Sequence, residues 1–590
     1  MFRSPLRFSS PLYTSFLSFS AMSVSKEFVA VLVLAFLLSG IFLSPVLENL
    51  DYWGDRDWGA MLLFHEAARE SVLQYHQLPL WNPYQCGGNI LWGHPHMPSL
   101  SPFLLLILLF GVFPGIKLGF FFFYVLGFIG AYYLAKNFGL EWRSSLFVAL
   151  LWTFTSSLPS LMTEGYSHWG AQMLIPWVFF FYRKSLDNAR YLVLAILALS
   201  WIVLSSYFWG FGILSVTLGF YALFESIRHK KARYLVNLGL IVLFALLLCA
   251  VKVMPLYEFQ SQYPRSLEEA GSQYTIKGLY LAFLDKTQGP YAHDLYSEGW
   301  FSYSSYLGWL PFLLAILGLM LFAKKYWPLA LTGLAALWYS FGDNAPISLY
   351  ALLKKIPVVT APFHSPSRFN VIILLVLALF AGLLLNHLLS ARVFRTSKSK
   401  FEFVPEWVIQ KRKGGWLLSD HLRSAVIILF LVYLFWVQVG VTHAFFGFSF
   451  PAPPLPAQPG EFFQVESPNF PNPYTHSKNL FAMTEQGRGL LDTQQAVQAK
   501  LSGANVLLPF YDSVYGMKEY WTMLFNVGTT NCYSNFHIPV HTQPKYFMNG
   551  SENSQYRGEA YLVNGKGQAR LSFFSPNKFV VEGSAQEPAK

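Results

Sequence analysis

The chain has 590 residues, 54% of them hydrophobic and 12% charged, and a formal net charge of +11. Soluble domains carry about 25% charged residues, so the composition excludes an ordinary soluble domain and points to a membrane. The basic residues cluster between hydrophobic runs, where they act as topology determinants, and no nucleic-acid partner is expected.

Residues 1–27 are basic, Ser-rich and weakly apolar. They read as a cytoplasmic N-terminal leader rather than a secretory signal, because no small-residue cleavage site follows a short apolar core, and Met22 is an alternative start. A spanning helix needs about 20 apolar residues. Segment 28–49 qualifies first and is followed by a polar loop, 50–98, holding Asp51, Asp55, Asp57, Glu66 and Glu70. Apolar runs then occupy 100–113, 116–135, 144–160, 171–183, 191–209, 210–226, 234–254, 305–322, 326–341, 367–390 and 424–446.

The basic connections are Lys136 to Arg143, Arg183 to Arg190, Arg228 to Arg233, Lys324–Lys325 and the segment 391–423, which has eight Lys or Arg against three acids. All five lie on the cytoplasmic side only if 100–113, bounded by Pro98, Pro102 and Pro114, is a re-entrant or interfacial helix. The expected fold is an all-α polytopic bundle of about eleven transmembrane helices plus that helix. Outer loops are expected at 50–98, 161–170, 255–304 and 342–366, and the core domain runs over 28–446. Residues 447–590 read as a small β-rich extracytoplasmic domain: RLSFFSPNKFVVEG predicts a hairpin and Asn564-Gly565 a further turn. Cys86, Cys249 and Cys532 make no disulfide framework, although a single Cys86–Cys532 bridge is allowed on an oxidising side.

Four stretches carry chemistry-bearing residues. Asp55 and Asp57, in DYWGDRDWGA, stand where the chain leaves the bilayer. They are either solvated loop acids beside an aromatic belt or carboxylates able to take a proton or help hold a divalent cation. In TEGYSHWG, Glu164 and His168 share a face if the turn is helical; otherwise the stretch is a polar interfacial cap. In LPLWNPYQCGGNILWGHPHMPSLSP, His94 and His96 flank Pro95, as weak metal ligands or as part of a rigid bracing loop. PFHSPSRFNV supplies His364 and Arg368, and a guanidinium at the outer interface either snorkels or grips phosphate. Glu298, with Asp294 and His293, is a lesser candidate for holding substrate. No P-loop, Rossmann fingerprint, nucleophile elbow or HExxH occurs.

The acidic motif after the first helix, WNPYQCGG, GYSHWG, YLGWLPFLLAILGL and SPSRF together resemble the YfhO-like branch of integral-membrane glycosyltransferases, of the GT-C fold superclass, across about residues 28–390. The resemblance implies a polyprenyl-phosphate sugar donor bound from the outer leaflet and an extracytoplasmic acceptor (glycan, lipid or protein). It implies Asp57 as catalytic carboxylate with Asp55 as alternate, Glu164 as the acid of the second outer turn, and Arg368 as a phosphate contact. The second turn departs from the family in offering one acid and a histidine, so a divalent cation on Asp55, Asp57 and Glu164 stays an open alternative. The counting of spans and basic loops puts the N-terminus inside and the C-terminus outside, and the membrane is expected to be a bacterial cytoplasmic one. The rival readings are a lipid or polysaccharide transporter or flippase, and a non-catalytic assembly factor for surface polymer.

Overall fold

In the computed structural model the described residues are 25–53, 57–98, 100–263, 273–288, 300–354, 365–390, 409–412, 415–418, 420–446, 450–451, 462–465, 520, 523–524, 526–530, 543–546 and 552–588. The helix α1 (Lys26–Phe42) is capped by Ser25, whose hydroxyl accepts from the Phe28 N–H at 3.1 Å. Pro45 opens a short continuation, α2 (Ser44–Leu47). The first polar loop then holds α3 (Trp58–Leu73), which is almost wholly buried, against its expectation as open loop.

The run at 100–113 forms α4 (Leu104–Phe110), seven residues and so about 10 Å long, too short to cross a bilayer. Gly111, at φ 86°, turns the chain back into α5 (Val112–Asn137). A Cβ on Gly115 would lie 2.5 Å from Ile107 Cα, so glycine permits this tight return.

The bundle continues with α6 (Trp142–Thr153), α7 (Ser157–Thr163), a 3₁₀ turn at Ser167–Leu174 and α8 (Ile175–Ser185). Next come α9 (Arg190–Leu204), α10 (Phe208–His229), α11 (Arg233–Leu248) and α12 (Ala250–Gln262). After α13 (Ile276–Leu284), α14 (Trp309–Phe322), α15 (Trp327–Ser340) and α16 (Leu349–Lys354), a 3₁₀ turn at Pro366–Phe369 leads into α17 (Asn370–Ser390), and α18 (Asp420–His443) closes the bundle.

The chain is an integral membrane protein: five helical stretches are long and apolar enough to cross, namely 112–137, 142–163, 208–229, 366–389 and 424–443. The pair α11 and α12 adds a sixth if counted as one span, but it bends by 80°, so the run expected to cross at 234–254 is broken at Cys249. The helices α9 and α14 are apolar but shorter. Among the described residues the expected eleven crossings are thus five helices of crossing length, six with the bent pair.

Among the described residues, the basic connections at 136–143, 183–190, 228–233 and 324–325 gather at one end of the bundle, where α18 also begins. Arg183 Nε donates to Asn137 Oδ1 (2.5 Å), Tyr182 hydroxyl to Tyr234 O (3.1 Å), Tyr326 hydroxyl to Phe138 O (3.3 Å) and Arg143 Nη2 to Ser424 Oγ (2.5 Å). The first polar loop and the tail meet at the other end. Tyr52–Trp53 pairs antiparallel with Phe450–Pro451, Gly87 N–H donates to Thr529 O (2.9 Å), and Thr529 N–H donates to Tyr84 O (2.9 Å). Cys86 is disulfide-bonded and Cys249 is free; Cys532, the partner the sequence allowed, lies outside the described residues. The expected hairpin forms between Gly567–Ser575 and Lys578–Ala585 and touches the same loop, with Asn577 Nδ2 donating to Leu78 O at 2.6 Å. Gly565 takes φ 86° at the second expected turn.

Where the tail covers α3, two carboxyls are buried a helical turn apart. Glu66 takes a 2.9 Å ion pair from Arg69, and the Tyr520 hydroxyl stands 3.4 Å away. Tyr84 hydroxyl lies 3.1 Å from Glu70 and 3.2 Å from Asn526 Oδ1. One phenol proton cannot serve both acceptors, so a protonated Glu70 completes the set. Burial first, then the Glu66 charge, raises the Glu70 pKa to about 8 from 4.5.

The folded state therefore holds a proton that the unfolded chain releases, and this contribution to stability is fully present below pH 4.5 and lost as pH rises toward 8. Thermal unfolding of the unaltered protein and of Glu70→Gln, compared between pH 5 and 8, should show the Tm advantage of the unaltered protein shrinking as pH rises, the neutral buried histidines contributing equally to both.

Candidate functional site

The site is built where the first polar loop meets the α7 turn. Asp57 precedes the first turn of α3, and its N–H donates to Glu164 O at 3.2 Å. Trp58 Nε1–H donates to Met162 O at 2.9 Å. Between them sits Gly165, at φ 94°; a Cβ there would collide with the Trp58 nitrogen and lie 2.7 Å from the Asp57 carbonyl carbon. Only glycine satisfies both the left-handed backbone and the close approach.

Because Gly165 breaks the helix, Glu164 and His168 do not share a helix face as the four-residue spacing allowed. Glu164 caps the end of α7, whereas His168 belongs to the following 3₁₀ turn. Tyr166 lies between them. Its hydroxyl hydrogen-bonds the Asp57 side chain, and it feels the charges of Arg368 and Glu164. Burial, followed by the Asp57 charge, raises the Tyr166 pKa, so this phenol stays protonated.

Arg368 arrives from the 3₁₀ turn that opens α17. Its guanidinium carbon lies 4.8 Å from the Trp169 ring centroid and 4.7 Å from that of Trp209, a cation held between two indoles. Ser367 hydroxyl fixes this turn by donating to Ser302 O at 3.1 Å.

The histidines form the other flank. His168 and His96 ring centroids are 5.1 Å apart, and those of His96 and His94 are 5.7 Å apart. His65, on α3, places Nε2 3.1 Å from Ser167 Oγ. Burial lowers the His65 pKa to about 3; burial and then the neighbouring His96 lower those of His94 and His168. These three imidazoles are neutral, so they hydrogen-bond without adding charge beside Arg368. A cavity of about 40 Å³ opens beside His65, Ser167 and His168, walled on its other sides mostly by apolar groups such as Phe103, Ile107 and Phe123.

The loop bearing His94 and His96 is held by a buried ammonium. Lys252, just past the α11–α12 bend, donates to the carbonyls of Trp92 (2.6 Å), Met97 (2.8 Å) and His94 (3.0 Å). Trp92 Nε1–H returns a bond to Val251 O at 2.8 Å.

Of the residues singled out in the sequence, the structure brings Asp57, Glu164, Arg368, His168, His96 and His94 into this one neighbourhood. Asp55, His364, Glu298, Asp294 and His293 lie outside the described residues. Among the described residues no group of three or more His, Cys, Asp or Glu stands in metal-holding geometry; Asp55, one of the three acids named as alternative cation ligands, lies outside them. Sequence reasoning did not single out Tyr166, Trp169, Trp209 or His65. Tyr166 and Trp169 lie inside the GYSHWG turn that drew attention, and His65 is four residues before Arg69 in an unmarked helix.

No family model matches the chain, and no curated protein matches it. Among solved structures it resembles the arabinofuranosyltransferase AftD from Mycobacteria, at 13% identity and TM-score 0.40, over 70% of this chain and 26% of that one. It also resembles ArnT from Cupriavidus metallidurans bound to undecaprenyl phosphate, at 13% identity and TM-score 0.38, over 84% of this chain and 76% of that one. A third is the Archaeoglobus fulgidus oligosaccharyltransferase in complex with Zn and sulfate, at 11% identity and TM-score 0.39, over 85% and 62%. The chain spans about a quarter of AftD, the first of these.

Two substitutions test how the site is held. Gly165→Ala combines a left-handed backbone with a collision and should cost about 1–3 kcal/mol. Lys252→Met strands three buried carbonyls, each costing about 1–3 kcal/mol, and should lower Tm more than Gly165→Ala does. Both are read by thermal unfolding in detergent.

Proposed function

We propose that the protein is a membrane glycosyltransferase that moves a sugar from a polyprenyl-phosphate donor to an acceptor hydroxyl on the extracytoplasmic side. The observation that carries this reading is the meeting of Asp57, Tyr166, Glu164 and Arg368 at the end of the bundle opposite the basic connections. By the positive-inside rule that end is extracytoplasmic, with the N-terminus inside and residues 447–590 outside, in a bacterial cytoplasmic membrane. Residues 28–446 are then the catalytic domain.

The reaction follows from Asp57 and Arg368. The acceptor oxygen forms a bond to the anomeric carbon as the bond from that carbon to the donor phosphate oxygen breaks. The acceptor proton passes to the Asp57 carboxylate, and the bonding electrons leave on lipid phosphate. Tyr166, donating to Asp57, orients the carboxylate. Arg368 offers a planar donor fork to the phosphate as its charge grows. Trp169 and Trp209 hold that fork in one plane. Substrate contacts are assigned to Glu164, His168, His94 and His96, and, among residues outside the described ones, to His364 and Glu298; Asp55 is the alternate base. No step above uses a divalent cation.

A transporter or flippase is the second reading, favoured by one observation: the 80° break in the α11–α12 pair, beside the buried Lys252. Against it, the Lys252 ammonium is already occupied by three carbonyls. A non-catalytic assembly factor keeps the same geometry without turnover.

Purified protein incubated with a panel of polyprenyl-phosphate sugars and hydroxyl acceptors should release lipid phosphate. Asp57→Asn should slow release by about 10²–10⁴-fold, and Arg368→Lys by about 10–100-fold through loss of the planar fork. Movement of intact donor across vesicles without phosphate release would favour the transporter. Unchanged function in cells with Asp57→Asn would favour the assembly factor.

A further inference from the structure

A second site lies on the flank of the bundle, where α1, α5, α6 and α18 leave a trough of about 1090 Å³. That is at the upper end of ordinary ligand cavities, about 300–1,000 Å³. Its walls are almost entirely apolar: Val33, Leu37 and Ile41 on one side, Ile428, Val432 and Trp436 on the other. The α1 wall runs from Glu27 to Ile41, fourteen steps of about 1.5 Å, or about 21 Å. Half the hydrocarbon core is about 15 Å, so the trough begins at the basic end of the bundle and passes the bilayer midplane.

Apolar walls do not close on each other in a bilayer as they do in water, because lipid tails are equally apolar. A trough of this length is therefore filled by a hydrocarbon chain. Its polar mouth identifies the headgroup. Lys136 Nζ stands 3.3 Å from Glu27 Oε1, and both side chains remain partly open. Tyr132 hydroxyl donates to the same Glu27 oxygen, and Trp142 borders the opening at the level where indoles favour the membrane interface.

We infer that this trough binds one phospholipid of the cytoplasmic leaflet with a primary-amine headgroup, its chain along α1 and α18, its phosphate on Lys136 and its ammonium on Glu27. One positive and one negative group match a zwitterion. An anionic headgroup would meet the Glu27 carboxylate without a cation of its own, and a quaternary ammonium has no N–H to donate to it. The trough is separate from the Asp57–Arg368 site, and the inference does not depend on the glycosyltransferase reading.

The test is native mass spectrometry of the full-length protein, delipidated and then given phosphatidylethanolamine, phosphatidylcholine or phosphatidylglycerol in equal amounts. One phosphatidylethanolamine per chain should be retained, with a preference of about tenfold over the other two. Leu37→Trp fills the trough from a side chain that is 60% exposed, so the fold is undisturbed, and it should abolish retention of all three. Ala30→Trp, elsewhere on the same wall, should do the same. Glu27→Gln keeps the Tyr132 contact and should retain lipid while losing the headgroup preference. Equal retention of the three lipids by the unaltered protein overturns the inference, as does retention unaffected by either tryptophan. Lipid binding that emerges only after removal of residues 1–24 also overturns it, assigning the trough to the chain's own N-terminal segment.

Discussion

The geometry of the site depends on one backbone docking: residues 57–58 against residues 162–165. The Asp57 N–H to Glu164 O bond and the Trp58 indole bond to Met162 O join the first polar loop to the end of the second long helix. Main-chain and indole bonds of this kind fix position more tightly than side chains on a mobile loop could. The Tyr166–Asp57 contact exists because of it. So does the placement of Arg368, whose Trp169 partner comes from the same turn.

Two buried lysines solve a second problem. Loop backbone at the edge of a bilayer must satisfy its carbonyls without water. Lys252 gathers those of Trp92, His94 and Met97. Lys117 does the same for Asn49, Leu50 and Tyr52 where the chain leaves α2. An ammonium has three donors and no acceptor, so each lysine meets one set of three carbonyls and fixes a loop that has no regular structure. Both loops end at the site: Tyr52 lies just before Asp57, and His94 stands beside His96 and His168.

Hydropathy and charge made much of the bundle legible. Each apolar run contains a helix, the four basic connections among the described residues gather at one end, and the Pro-bounded run at 100–113 is a short helix that cannot cross. The bend at Cys249 was not legible. The run 234–254 holds no proline and a single charge, Lys252, and the only proline of α12 is Pro255, inside that helix and beyond the break. The α12 direction is matched by long-range contacts, Lys252 with the 92–97 carbonyls and Pro255 against Gly93, and these have no local signature. The α3 helix was hidden for a related reason. Its charged residues, Glu66, Arg69 and Glu70, read as solvated loop, yet they are covered by a tail more than four hundred residues later. In the site, the motifs marked the right turns, but spacing misled within one of them: four residues place two side chains on one face only in an unbroken helix, and Gly165 breaks it.

The division of charge around Asp57 and Arg368 is itself a chemical argument. In a low-dielectric pocket a charge is tolerated when opposite charges or oriented dipoles stand close by. Here the Asp57 and Glu164 carboxyl groups and the Arg368 guanidinium come from segments up to three hundred residues apart, and the remaining space is given to neutral groups: Tyr166, His168, His94 and the indoles of Trp169 and Trp209. Adding a protonated histidine would compete with Arg368 for an incoming anion and repel it at short range. Burial prevents that by holding His65, His94 and His168 neutral. Their remaining capacity is to donate and accept hydrogen bonds, which suits hydroxyl-rich, uncharged chemistry next to a single anionic group. The sugar phosphate donor proposed above would present that distribution of polarity.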